Sequence, residues 1–186
     1  PWRHPCGPCW NFSAERWALL RRRSPVPDME REKRIILIGR TGCGKTTLMQ
    51  AVEQTDIVYR KTQTVCHHLH FIDTPGEYLE NRGFYKALIA SSYDADVIGF
   101  VQDCSRDDAW LPPMFASVFS KEVVGIVTKT DLASDPEQIR RAEALLRRAG
   151  VGRIFRVSSV QRQGTGELAQ FLRQPSGGGQ KTHIIR

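Results

Sequence analysis

The amino-acid sequence predicts an α/β domain, a three-layer sandwich with a mostly parallel central sheet, and three observations point there. From Arg34 onward, short β-branched apolar runs alternate with helical segments, the order that a parallel sheet with crossover helices requires. The run GRTGCGKT, Gly39 to Thr46, directly follows the first apolar run and opens a helical segment. A capped amphipathic helix separates the last two apolar runs.

Taken in order, residues 1–28 stand apart, rich in Pro and holding three of the four Trp. They read as an N-terminal extension, with Met29 a candidate start of the domain. Two forms are open: a disordered leader without chemistry of its own, or a short amphipathic helix. In the second, Trp10, Ala14, Trp17 and Leu20 share a face and Arg21 to Arg23 close the C-terminal end, so that it could dock on a partner. The domain is expected over residues 29–173, with buried strands at Ile35 to Ile38, Leu69 to Ile72, Val97 to Val101, Val123 to Val127 and Ile154 to Val157.

The first helix is expected over Lys45 to Gln54. The stretch from it to Asp73 is short, so the β2–β3 region should be abbreviated. The clearest helix has Asp135 as N-cap and Pro136 at its first position, with Ile139, Ala142, Leu145, Leu146 and Ala149 on one face and Gly150 as the stop. Arg140, Arg141, Arg147 and Arg148 then form a solvated face rather than a binding patch. Residues 174–186, QPSGGGQKTHIIR, cannot pack a core and read as a flexible C-terminal tail.

The Gly39–Thr46 run carries the chemistry. Its glycines let the backbone curl so that successive N–H groups face a phosphate, and the dipole of the following helix adds partial positive charge there. The candidate phosphate-binding residues are Gly39, Arg40, Thr41, Gly42, Cys43, Gly44, Lys45, Thr46 and Thr47. Lys45 would bridge β- and γ-phosphate oxygens, and the Thr46 hydroxyl would ligate Mg2+.

IDTPGE, residues 72–77, ends an apolar strand with Asp73 followed by Gly76, the D-x-x-G spacing of GTPases. Asp73 can hold a magnesium-bound water and the Gly76 N–H can contact a γ-phosphate. Between the two motifs, Thr62 or Thr64 could supply a switch hydroxyl that closes over the metal, and Thr62 is the favoured one. Glu77 stands where a Gln often orients the attacking water. Its charge would repel the γ-phosphate, so intrinsic hydrolysis should be slow, on the order of 10⁻⁴ s⁻¹. Lys45, Thr62, Gly76 and Glu77 are thus the catalytic candidates, and Thr46, Thr62 and Asp73 the magnesium candidates. Arg82 is a candidate charge-neutralising group.

VTKTD, residues 127–131, has the form T-K-x-D where guanine readers usually show N-K-x-D. Asp131 could accept from guanine N1 and N2 with the Lys129 stem along the ring. Thr128 in place of Asn should lose a hydrogen bond that braces this loop, about 0.5–1.5 kcal/mol, and weaken guanine preference. Both GTP/GDP and ATP/ADP therefore remain open. RVSSV, residues 156–160, offers Ser158 and Ser159 as a buttress for the base.

The formal charge of +7 invites a nucleic-acid reading. Residues 1–28 hold five Arg against Glu15 and Asp28, and the tail adds Lys181 and Arg186, so most of the basicity lies at the ends and no nucleic-acid partner is expected. No apolar run approaches the roughly 20 residues of a membrane span, and no secretory pattern opens the chain, so a cytoplasmic location is expected. Five Cys without an export signal argue against a disulfide framework. Cys66 and Cys104 read as small apolar residues. Cys6-Gly7-Pro8-Cys9 spells a redox tetrapeptide, yet it lacks the preceding strand that such chemistry needs, and a zinc set with His4 is incomplete. Cys66, His68 and His70 could share a strand face as metal ligands, but the segment reads more simply as a polar turn and edge strand.

With KTQTV at 61–65, IDTPGEYLENR at 72–82 and VGIVTKTDLAS at 124–134, these motifs resemble the EutP/PduV family of small GTPase-like proteins, found with bacterial microcompartments for ethanolamine or propanediol breakdown. The resemblance runs from about Arg34 to Leu172. It implies a Ras-like P-loop NTPase fold, a place near a microcompartment with shell or cargo proteins as partners and, for some members, an attributed acetate kinase activity. Residues 1–28 share no motif with the N-terminal region linked to compartment association in some relatives. Three readings follow: a magnesium-dependent switch and slow GTPase, a phosphotransferase acting on acetate, and a nucleotide-holding interaction module.

Overall fold

A computed structural model describes residues 32–54, 66–67, 70–76, 85–106 and 110–175. The strands are β1 (Ile35–Ile38), β2 (Cys66–His67), β3 (Phe71–Asp73), β4 (Val97–Asp103), β5 (Glu122–Thr128) and β6 (Arg153–Arg156). The helices are α1 (Lys45–Val52), α2 (Tyr85–Ser92), α3 (Pro136–Arg148) and α4 (Thr165–Arg173), with short 3-10 turns at Phe115–Val118 and Thr130–Leu132. The sheet order is β2-β3-β1-β4-β5-β6. Every pairing is parallel except β2 with β3. The abbreviated region is as expected: an antiparallel edge strand of two residues against one of three.

Strand alternation divides the core in two. Ile36, Ile38, Ile72, Ile98 and Phe100 face α2 and α3, where Leu88, Ala142 and Leu146 complete one layer. Ile35, Leu37, Phe71, Val97 and Val101 face α1 and α4, where Leu48, Met49, Leu168, Phe171 and Leu172 complete the other. Phe100 anchors the first layer through ring contacts to Trp110, Phe115 and Phe119 at 5.6–6.4 Å between centroids. Such edge and offset pairs add to what their buried area alone contributes.

α3 follows its sequence. Asp135 accepts a hydrogen bond from the Glu137 N–H at 2.9 Å, Pro136 begins the helix, and Gly150 sits beyond it at φ +93°. The four predicted arginines are exposed. α1 ends at Val52, two residues early. β3 runs over Phe71–Asp73, the expected start at Leu69 lying outside the described residues, and β6 ends at Arg156 with Val157 just beyond it. β4 continues two residues past the predicted Val101. Residues 1–28 and 176–186 lie outside the described residues, as do Thr62, Thr64, Glu77 and Arg82. Gln174 and Pro175, assigned to the tail, are described: Pro175 pairs with Glu32 in an isolated antiparallel bridge.

Candidate nucleotide-binding site

Parallel strands place their C-terminal ends on one edge of a sheet, and ligands of such folds bind there. Register sets what stands on that edge: Leu37 is level with Asp73 and Asp103 with Thr128, and the phosphate loop leaves β1 immediately after Ile38.

The loop has the shape its glycines permit. Gly42 and Gly44 lie at φ +79° and +93°, a region that costs a side-chain-bearing residue energy. Gly44 is the N-cap of α1 and no acid stands in the first turn, so neither a capping side chain nor a carboxylate answers the partial positive charge at this N-terminus. Lys45, only 6% exposed, folds back so that its ammonium donates to the carbonyls of Gly39 at 2.7 Å and Arg40 at 3.0 Å. Gly39 is required by packing, since a Cβ there would fall 2.7 Å from both the Cys43 Sγ and the Val101 carbonyl oxygen. Cys43 is buried beneath the loop, and burial, partly offset by the Lys45 charge, pushes its thiol up.

The D-x-x-G residues meet the loop. The Thr46 hydroxyl donates to Asp73 Oδ2 at 2.7 Å, and Asp73 is 1% exposed. A Cβ built at Gly76 would fall inside the backbone of Thr41, so the two motifs touch main chain to main chain. Thr41 Oγ1 is buried there with no hydrogen-bond partner among the described residues. The Thr46 hydroxyl and the Asp73 carboxylate are hard oxygen donors, the chemistry that Mg2+ selects. Among the described residues no group of three or more His, Cys, Asp or Glu gathers as a metal cage. Two protein oxygens with phosphate and water completing the shell is the arrangement Mg2+ takes in phosphoryl-transfer sites.

At the other end of the loop, the Thr128 hydroxyl lies 2.6 Å from the Cys43 carbonyl oxygen and 3.3 Å from that of Gln102. One hydroxyl carries one proton, and the shorter contact takes it. The T-K-x-D loop thus has one side-chain bond to the phosphate loop, where the two-hydrogen amide of an Asn could donate twice. Asp131 accepts from the Ser158 hydroxyl at 2.6 Å. The contact orients the carboxylate without using it up, because each oxygen has two lone pairs. Ser159 is buried beside Ser158, and Ser158 alone of the two makes the contact to Asp131. Lys129 donates to Asp103 Oδ2 at 2.7 Å.

Sequence reasoning missed Asp103. Burial on its own would raise its carboxyl, but hydrogen bonds from Lys129 and Ser105 outweigh that and hold it below the ordinary carboxylate range. The available signal was a Gln-Asp pair ending the apolar run VIGFV, at the edge where ligands bind. Cys104 is buried, as expected of a small apolar residue. His70 lies 3.1 Å from Glu32 Oε2, away from this edge. The side chains of Cys66 and His68 lie outside the described residues.

The family model described as "Ethanolamine utilisation - propanediol utilisation", PduV-EutP, matches residues 32–174. The chain belongs to the PduV-EutP family. This PduV-EutP chain is 44% identical over 142 residues to the propanediol utilization protein PduV of Citrobacter freundii, covering 75% of the chain and 93% of that protein. It is 31% identical over 156 residues to a protein of Escherichia coli named "Probable acetate kinase EutP", covering 81% and 98%. Among solved structures, Era of Aquifex aeolicus bound to GDP.AlF4- superposes with a TM-score of 0.56 at 16% identity, over 79% of this chain and 57% of that one. That likeness places the PduV-EutP chain in the Ras-like P-loop fold. No helix among its described residues is long and apolar enough to cross a membrane.

Proposed function

We propose that this chain binds a purine nucleoside triphosphate with Mg2+ at the phosphate loop and acts as a slow GTPase-like switch beside a bacterial microcompartment. The observation that carries the reading is the 2.7 Å contact between Thr46 and Asp73, which joins the G-x-x-x-x-G-K-T and D-x-x-G motifs in one oxygen site next to Lys45. Loop amides and the Lys45 ammonium, leaving the Gly39 and Arg40 carbonyls, take the β- and γ-phosphates. Thr46 and Asp73 hold Mg2+, directly and through water. When bound, the metal neutralises charge on the β- and γ-oxygens. Asp131, oriented by Ser158, favours guanine over adenine. In this proposal Thr62 and Gly76 would close on the γ-phosphate with Glu77 as the residue beside the attacking water, so that hydrolysis would release the segments that a shell or cargo partner reads. The names of the family and of its relatives support the propanediol and ethanolamine setting.

The test is a side-by-side titration of GTP, GDP, ATP and ADP with and without Mg2+, on the natural chain and on Lys45→Ala. Guanine nucleotides should bind more tightly with Mg2+, and Lys45→Ala should lose about a hundredfold in affinity, equivalent to about 2.7 kcal/mol. Binding of no nucleotide, or binding indifferent to Lys45→Ala, overturns the reading.

A second reading, phosphoryl transfer from ATP to acetate, is favoured by the identity to "Probable acetate kinase EutP" over almost that protein's full length. Incubation with acetate, ATP and Mg2+ should then yield acetyl phosphate. None at high protein concentration disposes of it.

A further inference from the structure

We propose that Asp103 is the positioning residue of the base-reading wall: through Lys129 it fixes that wall against the end of the phosphate loop, and so sets affinity for the base while leaving the phosphates untouched. The proposal rests on the nucleotide-binding reading above and names a residue that neither motif contains.

Asp103 ends β4, level with Thr128 on β5, and is 2% exposed. A carboxylate so placed must have its charge answered and its lone pairs filled. Both conditions are met from the base-side loops. Oδ1 accepts from the Ser105 N–H at 2.9 Å and the Ser105 hydroxyl at 2.7 Å. Oδ2 accepts from the Lys129 ammonium at 2.7 Å, the short distance typical of a charge-assisted bond. The Ser105 contacts lock the carboxylate plane, which aims Oδ2 at one place. Asp103 is therefore a fixed anchor rather than a mobile counter-ion.

Lys129 is gripped from the main-chain side as well. Its backbone stands at φ +58°, unusual for a residue with a side chain, and its carbonyl accepts from the Cys104 thiol at 3.1 Å and from the Leu132 N–H at 2.9 Å. With backbone and ammonium both held, the methylene stem must run between them. It passes the loop, with Cε 4.0 Å from the position a Cβ would take on Gly44. A stem laid down this way is an apolar shelf for the face of a planar ring. Without Asp103, a hydrated ammonium would pull the stem through many rotamers, and the shelf would have to be ordered at each binding event. The carboxylate also cancels the ammonium charge, so Lys129 contributes shape to the base more than attraction to the phosphates.

Arg106 is the other cation near this carboxylate. Its Nε is 3.8 Å from Oδ2 with the side chain about half exposed, a loose pair that water screens. Its guanidinium lies 3.6 Å from the position of a Cβ on Gly42, so Asp103 has a second route, toward the phosphates, that a test must separate from the first.

Asp103→Asn separates them. The substitution keeps the shape, and Ser105 continues to donate to the remaining carbonyl oxygen. The new amide NH2 then faces the Lys129 ammonium, donor against donor, and expels it. Lys129 is 31% exposed and can turn to water, so the fold survives. Calorimetric titrations with Mg2+ use two probes: GDP, which carries a base, and pyrophosphate, which carries none. In Asp103→Asn, GDP affinity should fall about tenfold while pyrophosphate affinity stays unchanged. Lys129→Ala should show the same split, and Asp103→Asn made in that background should add nothing.

Equal losses for GDP and pyrophosphate overturn the proposal and assign Asp103 to Arg106 or to the phosphate loop. So does unchanged GDP affinity in folded Asp103→Asn. Should that variant fail to fold, Lys129→Ala decides alone: a matching loss for pyrophosphate, or none for GDP, refutes it. If the natural chain binds neither probe, the failure is that of the nucleotide reading and not of the role of Asp103 within it.

Discussion

The Thr128 hydroxyl donates to the Cys43 carbonyl across 2.6 Å, joining the T-K-x-D loop to the phosphate loop. Thr128→Val keeps the shape and removes the donor, leaving a buried carbonyl oxygen unanswered. It should cost about 1–3 kcal/mol in chemical denaturation and loosen nucleotide binding. Thr128→Asn retains a donor and adds a second, and should raise the ratio of GTP to ATP affinity in a fluorescent-nucleotide titration.

Asp73 and Thr46 form one oxygen site. Asp73→Asn should leave metal-free GDP binding close to that of the natural chain and remove most of the gain that Mg2+ brings. Titration of GDP at fixed Mg2+ and in chelator measures both terms. An undiminished response to Mg2+ would place the metal elsewhere.

Gly76 has no room for a methyl group, because the Thr41 main chain occupies the space. Gly76→Ala should force the two motifs apart, with an overpacking cost of about 1–3 kcal/mol visible as a lower urea midpoint. Nucleotide binding should weaken with it, since the displaced segment is the phosphate loop itself.

The Asp103 carboxyl is held below its ordinary value by Lys129 and Ser105, against burial. A depressed carboxylate contributes stability that is complete above its unfolded pKa and is lost as pH falls through the folded one. The loss should therefore begin as pH drops into the ordinary carboxylate range and continue below it. Asp103→Asn should flatten that acid limb of a stability–pH curve while leaving the neutral region parallel to that of the natural chain.

Much of the architecture could be read from the one-dimensional pattern because its signals are local. Asp135, Pro136 and Gly150 announce the ends of α3 within the helix itself, and the alternation of Ile35 to Ile38 carries both faces of β1. The phosphate loop is legible for the same reason, all its parts lying within eight residues. What escaped depends on distant partners. Gln102 and Asp103 are polar, so an apolar run seems to end at Val101, yet both are buried because the edge supplies Trp110, Ser105 and Lys129 as partners. The partner of Thr128 is hidden from the sequence likewise, since the carbonyl it meets is 85 residues away in the chain.

Near the start of β1, the Lys33 N–H bonds to the Leu172 carbonyl at 2.8 Å, and Glu32 bridges Pro175. Residues 32–33 and 172–175 thus lie side by side, a strand's length of about 13 Å from the phosphate loop at the far end of β1. The same adjacency makes the domain a candidate for circular permutation, with a short linker closing the old ends.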